Sequence, residues 1–228
     1  MAFSARVEAW RLFAEMFAAD APADYLLDWI EKESSGNRCN LTTSAGFPEV
    51  GLFQLDPGNA ARAGTDQATL RSGCEGQSDN GTDDDKLVAM STGVEYIKAL
   101  KALAHQKLSN VDVDWDESTV GFWSLVRLQH AAGEGAVNFW LKQAAQNLGR
   151  GPKDWDEFIA NGRGDGRGQF DHWTNVAAEN GAWAEGFSGS GSSGGRLTTI
   201  EKILVAGAAI AGLIGALYAD RWLRREVV

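Results

Sequence analysis

Cysteine is nearly absent from this chain. Cys39 and Cys74 are the only two in 228 residues, too few for a disulfide framework, and no C-x-x-C pair offers a metal site. They can bridge if the domain lies outside the cytoplasm, or remain two free thiols. Basic charge is also short: 21 Lys and Arg stand against 31 Asp and Glu, a net charge of -10. A surface that binds nucleic acid needs clustered cations, so a nucleic-acid partner is excluded. The opening MAFSARVEAW has no basic stretch followed by an apolar core, so it does not read as a secretory signal. The acidic run SDNGTDDD, residues 78 to 85, lacks the spacing and the closing Glu of an EF-hand and reads as a solvated loop. Nothing in the sequence calls for a metal or a cofactor.

With 44% hydrophobic and 23% charged residues, the composition is that of a folded globular chain. The apolar periodicity is helical, and few period-2 patterns occur. Helices are expected near 4–18, where Val7, Trp10, Phe13, Met16 and Phe17 form a stripe, and near 22–35, 85–107, 118–131 and 134–148. Asp84 or Asp85 can cap the third, and Ser118 or Thr119 starts the fourth. The Gly-rich stretch from 150 to 187 reads as an irregular loop packed by its aromatics. The fold class expected is mainly α.

A Gly/Ser stretch, SGSGSSGG at 188 to 195, carries no side chains with which to build a core. Behind it Ile203 to Tyr218 reads ILVAGAAIAGLIGALY, without a charge. At 1.5 Å per residue this run spans roughly 24 Å, against ~30 Å of hydrocarbon. Lys202, Arg221 and Trp222 can reach the two interfaces. A transmembrane helix is the reading preferred over a buried helix, because the run has no domain of its own to cover it. The expected division is 1–187 as a folded helical domain, 188–197 as linker and 198–228 as membrane anchor. Arg221, Arg224 and Arg225 place the C-terminus on the cytoplasmic side and the body across the membrane. Gly207, Ala211, Gly215 and Ala219 recur every fourth residue. They permit self-association or contact with another span, or are ordinary Ala/Gly richness.

The chemistry concentrates in DWIEKESSGN and GLFQLDP. Leu26, Ile30 and Glu33 share one helical face, with Trp29 a turn before Glu33, whereas Asp24, Asp28 and Glu31 fall on a face expected to be solvated. Gly36 and Asn37 end the helix. A carboxyl on an apolar face has its charged form disfavoured, so Glu33 is expected to be protonated near neutral pH, as a general acid must be. A Glu reaching into solvent from a fraying helix end is the simpler account of the same residue.

These residues resemble the soluble lytic transglycosylase family, which shares a lysozyme-like fold with the goose-type lysozymes. The family carries a Glu-Ser pair at a helix end, then a loop with Ser and Gly, then a G-L-(M/F)-Q segment followed by Pro. Here these are Glu33-Ser34, Ser44-Ala45-Gly46, and Gly51-Leu52-Phe53-Gln54 with Pro57 beyond. A third motif is partly kept in His130-Ala131-Ala132-Gly133-Glu134-Gly135-Ala136-Val137, where the family has Tyr at the position of His130 and Asn at that of Ala131. The loop before Gly51 also holds an extra Pro48-Glu49. The resemblance covers roughly residues 22 to 145.

It implies one catalytic carboxylate, Glu33, acting on bacterial peptidoglycan without metal or cofactor. Glu33 would protonate the oxygen between N-acetylmuramic acid and N-acetylglucosamine. It would then take the proton of the muramoyl 6-hydroxyl, which closes onto C1 as a 1,6-anhydro end. Ser34, Ser44, Gln54, Trp29 and His130 are the candidate substrate contacts. His130 shares a face with Trp123 and Val126 and can equally be a core residue. All nine tryptophans but Trp222 precede the linker; most are expected in the core. Two further functions are compatible with the same residues. One is a hydrolytic muramidase, for which Asp56 or Glu49 would have to face Glu33 as a second carboxylate. The other is a non-catalytic glycan-binding protein of a virion or membrane. A body placed across the membrane without a secretory signal fits an enzyme delivered by a phage particle during genome entry.

If the linker separates two units, few contacts cross it. A chain lacking residues 196–228 is therefore expected to be soluble and to melt cooperatively. Aggregation of the shortened chain, seen by size-exclusion chromatography, would place the tail in the core.

Overall fold

The computed structural model describes residues 2–43, 48–74, 80–163, 169–185 and 187. All of them belong to the first of two units into which the chain divides, Met1–Gly191 and Ser192–Val228. Ser44 and the apolar run 203–218 lie outside the described residues. Among the described residues no helix is long and apolar enough to cross a membrane.

The fold is mainly α. Two short helices, α1 (Ala5–Glu8) and α2 (Arg11–Met16), replace the single helix expected over 4–18. The break falls where Trp10, fully buried, donates its indole N–H to the Gly36 carbonyl at 3.0 Å. Helix α3 (Ala23–Ser34) starts after Pro22, whose missing N–H costs nothing at a helix start. It ends with Ser35 in the left-handed region, φ 50°. Gly36 follows at φ 76°, and a Cβ there would lie 3.0 Å from the Arg6 backbone. Only glycine lets α1 cross the end of α3 so closely.

A two-stranded antiparallel hairpin, β1 (Leu41–Thr42) with β2 (Glu49–Val50), follows α3. Then come α4 (Pro57–Arg62), capped by Asp56, and the single turn α5 (Gln67–Leu70), capped by Asp66. Helix α6 (Asp83–Ser109) opens with a capping box in which Thr82 and Asp85 satisfy each other's backbone N–H groups. The cap is thus Thr82, and Asp83 to Asp85 form the first helical turn, where carboxylates suit the helix dipole, rather than a solvated loop. Helix α7 (Val120–Ala132) is capped by Thr119, and α8 (Glu134–Leu148) follows directly after Gly133.

The region expected to be an irregular loop is largely helical: α9 (Trp155–Gly162), α10 (Phe170–Gly181) and a 3-10 turn (Ala182–Ala184). Its glycines misdirect a reading by propensity. Gly181 is selected by packing instead, because a Cβ there would lie 2.1 Å from Ser124 Oγ of α7.

Helix α7 is the centre of the core. Every residue from Gly121 to Gln129 is buried, with α6, α8 and α10 packed around it. Helix α3 adds Tyr25, Leu26, Leu27, Trp29 and Ile30, none of them exposed. On α6, a Cβ at Gly93 would fall 2.0 Å from the ring of Phe53, which is how the segment after the hairpin seats its aromatic in the core.

The cysteines are paired: Cys39 and Cys74 form a disulfide with a Cα–Cα separation of 5.4 Å, tying the chain after α3 to the chain before α6. Neighbouring Arg38, buried, donates to the carbonyls of Ser72 at 3.2 Å and Asn80 at 2.9 Å and faces Asp85 at 3.7 Å. The bridge closes a loop over a separation of 35 residues, worth about 3–4 kcal/mol on chain-entropy grounds. The Cys39→Ser/Cys74→Ser variant should melt well below the native protein, by roughly 5 °C or more. Equal melting temperatures with and without reductant would show that the bridge contributes nothing.

Candidate functional site

Glu33 is the penultimate residue of α3 and its side chain is 18% exposed. Its carboxylate is met from α7 by two residues. Arg127 Nη2 donates to Oε1 in a close ion pair. His130 Nε2 lies 3.4 Å from the same oxygen. The far ring nitrogen of His130, Nδ1, is 3.1 Å from the hydroxyl of Tyr96 on α6. Trp29, one turn before Glu33, lies under both partners: the Arg127 guanidinium is 4.6 Å from its ring centroid, and the His130 ring is 5.1 Å away. Helix α7 thus meets the carboxyl of α3 directly, and α6 reaches it through His130.

Burial alone would push the Glu33 carboxyl up. Hydrogen bonding from His130 and the charge of Arg127 outweigh it, and the carboxyl is held down at about 2, below its ordinary 4.5. This corrects the expectation of a protonated acid. Glu33 does lie on an apolar face, but that face also carries a cation, and at rest the group is a carboxylate. Tyr96 is shifted in the other direction: burial keeps its hydroxyl protonated well into the alkaline range.

The candidate substrate contacts divide. His130 has the packing of a core residue, against Trp29 and Tyr96, with its side chain 9% exposed, and its Nε2 faces Glu33. Trp29 is 0% exposed, so it supports Arg127 and His130 from beneath and does not line a groove. Ser34 is buried and its hydroxyl donates back to the Ile30 carbonyl at 3.2 Å. Gln54, expected in the cleft, is 2% exposed with φ 48°. Its amide N–H groups go to the carbonyls of Gly51 at 2.7 Å and Asn40 at 3.2 Å, so it braces the turn. Asn40 in turn donates from Nδ2 to the Glu33 carbonyl at 3.4 Å. The G-L-F-Q turn therefore acts on Glu33 through the backbone at the end of α3. Ser44 lies outside the described residues.

The other carboxylates have other work. Asp28, expected in solvent, is buried and binds Asn180 Nδ2 at 2.8 Å and Lys32 Nζ at 3.0 Å. Glu31 accepts from the backbone N–H and hydroxyl of Ser4 at 3.2 and 2.9 Å, pinning the start of α1. Asp56 accepts from the backbone and side chain of Asn59 in the cap of α4. Among the described residues no group of three or more His, Cys, Asp and Glu side chains is arranged to hold a metal ion. Two surface hollows, one beside Val50–Leu55 and Gly93 and the other between Phe3, Arg11 and Trp183, do not include Glu33.

Arg127 and Tyr96 were not among the residues singled out from the sequence. Arg127 left a signal, as the one permanent cation in VGFWSLVRLQHAA, three residues before His130. A permanent cation in an apolar helix implies a buried counter-charge. Tyr96 left none, since an aromatic in a long helix reads as core. Comparison of the chain with protein-family models, curated proteins and solved structures finds no match.

Because the Glu33 pKa is lowered on folding, the pair stabilises the protein above about pH 4.5, and the contribution is lost as pH falls toward about 2. Glu33→Gln leaves Arg127, 3% exposed, without a counter-charge. Such a loss costs on the order of 3–5 kcal/mol. The variant is thus expected to melt lower than the native protein at pH 7, with the gap narrowing as the pH is lowered. Identical melting curves at pH 7 would mean that the two charges do not meet.

Proposed function

We propose that the chain is a peptidoglycan-cleaving enzyme with a lysozyme-like helical domain, a lytic transglycosylase in which Glu33 is the catalytic carboxylate. The observation that carries this reading is the placement of Glu33. It is a partly covered carboxyl at the C-terminal end of a core helix, followed by a hairpin and a G-L-F-Q turn bonded back to that helix end. Of the two candidates for a second carboxylate, Asp56 is engaged in the cap of α4, which favours a mechanism with one carboxylate over one that uses Asp56, and Glu49 stands in β2.

In this mechanism the glycosidic oxygen accepts a proton from Glu33 as the bond to C1 breaks. The muramoyl O6 then attacks C1 and gives its proton to the Glu33 carboxylate. The leaving sugar departs with a new hydroxyl, the muramoyl residue becomes a 1,6-anhydro ring, and Glu33 is protonated again. The apolar run 203–218 would tether the domain to a membrane, with the body facing the cell wall or carried in a virion.

A second reading, a glycan-binding protein without activity, is favoured by one observation. Arg127 holds Glu33 as a carboxylate, the wrong state for the first proton transfer.

Purified peptidoglycan separates the readings. Digestion should yield muropeptides with anhydro ends by mass spectrometry. Ends that have gained water would mean hydrolysis, and no cleavage would mean binding alone. General acid–base assistance is worth ~10²–10⁴-fold, and here one group serves both steps. Glu33→Gln should therefore lose at least that much activity when assayed well below its melting temperature, while Glu31→Gln keeps near-native activity. Cleavage retained in the first variant and abolished in the second would reassign the acid.

A further inference from the structure

Glu33 at rest is ionised, yet the first step of the proposed reaction needs a proton on it. Two groups lie within reach of its Oε1. Arg127 does not release a proton in a protein. That leaves His130, whose Nε2 is 3.4 Å away and whose other nitrogen is held by the Tyr96 hydroxyl at 3.1 Å. Its ring is fixed between Trp29 and Tyr96, at centroid distances of 5.1 and 5.7 Å. A histidine held at Nδ1 by a phenol, with Nε2 facing a carboxylate at 3.4 Å, is placed to pass a proton rather than merely to fill space.

We propose that Glu33 and His130 share one proton, held on His130 Nε2 at rest and passed to Glu33 Oε1 when the glycan is bound. The inference rests on the transglycosylase reading of Glu33. With the shared proton on Nε2, His130 directs Nε2–H toward Glu33 and Nδ1–H to Tyr96 Oη. As the sugar occupies the site and the carboxyl is drawn from Arg127, the Nε2–H bond breaks and the Oε1–H bond forms. This leaves a neutral imidazole that keeps its Nδ1–H on Tyr96, so the hydrogen bond to Tyr96 fixes the tautomer. The glycosidic oxygen takes the proton from Glu33, O6–H returns one to it, and the pair ends the cycle with the same single proton. The charged or titratable groups facing His130 are Glu33 from α3, Tyr96 from α6 and, one turn earlier on its own helix, Arg127, with Asp56 and Arg62 at α4 and Glu134 of α8 acting on the Tyr96 phenol. His130 is a positioning and proton-holding residue in this scheme, acting on the glycan through Glu33.

The test is the pH dependence of kcat/KM on purified glycan strands with the full chain. The native enzyme should lose activity on the alkaline side as the pair loses its shared proton. His130→Gln, which can still donate a hydrogen bond to Glu33, should be slowed by ~10²-fold or more near neutrality and should lack that alkaline limb. His130→Ala should be partly restored by added imidazole. Tyr96→Phe should keep the limb but lower kcat/KM, because the imidazole loses the partner that fixes its tautomer. A native profile flat to pH 10 would overturn the proposal, as would a His130→Gln profile with the native limb intact, or no response of His130→Ala to imidazole. If Glu33→Gln is inert while any of these holds, the shared proton alone is wrong. If Glu33→Gln cuts as well as the native enzyme, the reading of Glu33 itself has failed.

Discussion

A guanidinium on the central helix of a core must have a counter-charge, and the fold is arranged around that requirement. Arg127 is 3% exposed in the middle of α7, where a lone cation would cost several kcal/mol. Its partner comes from the end of another helix, so α3 and α7 are held in register by Glu33 as well as by apolar contact. The indole of Trp29 completes the cation's surroundings with a π face, which replaces part of the lost hydration without adding charge. Two of the three guanidinium nitrogens, Nε and Nη1, find no hydrogen-bond partner among the described residues. The carboxylate and the ring therefore carry most of the compensation.

The same pair links stability to chemistry. A catalytic acid is useful when its proton is available near the working pH, whereas the Arg127 pair favours the ionised form. The proposed mechanism reconciles the two by keeping the proton on the neighbouring His130, 3.4 Å away. The group that stabilises the resting carboxylate and the group that supplies its proton then lie one turn apart on α7, and the phenol that orients the imidazole comes from α6. Such a site needs three helices to be correctly packed, which is the order provided by the buried aromatics Trp29, Tyr96 and Trp123.

Behind Glu33, the end of α3 is secured twice. The disulfide joins Cys39 to Cys74, and buried Arg38 gathers the carbonyls of Ser72 and Asn80 beside it. From the other side Gln54 and Asn40 relay backbone hydrogen bonds to the Glu33 carbonyl. These contacts act on main-chain atoms, which are nearly the same for every residue type. A motif such as G-L-F-Q thus shows in the sequence as a pattern although its polar member is turned inward.

The sequence by itself determined what depends on nearest neighbours and on period. The 3.6-residue rhythm placed α3, α6, α7 and α8 to within a few residues, because each has a continuous apolar stripe and most have a residue able to cap them. It placed Glu33 on the face of Leu26 and Ile30 for the same reason. It did not separate α1 from α2, nor find α9 and α10, because Trp10 and Gly181 are chosen by the surfaces they meet rather than by helix propensity. Most of all, the ionisation of Glu33 was not legible. A helical wheel shows an apolar face and implies a raised pKa. The sign is reversed by Arg127, 94 positions away in the chain, and only the tertiary structure brings that charge to the carboxylate.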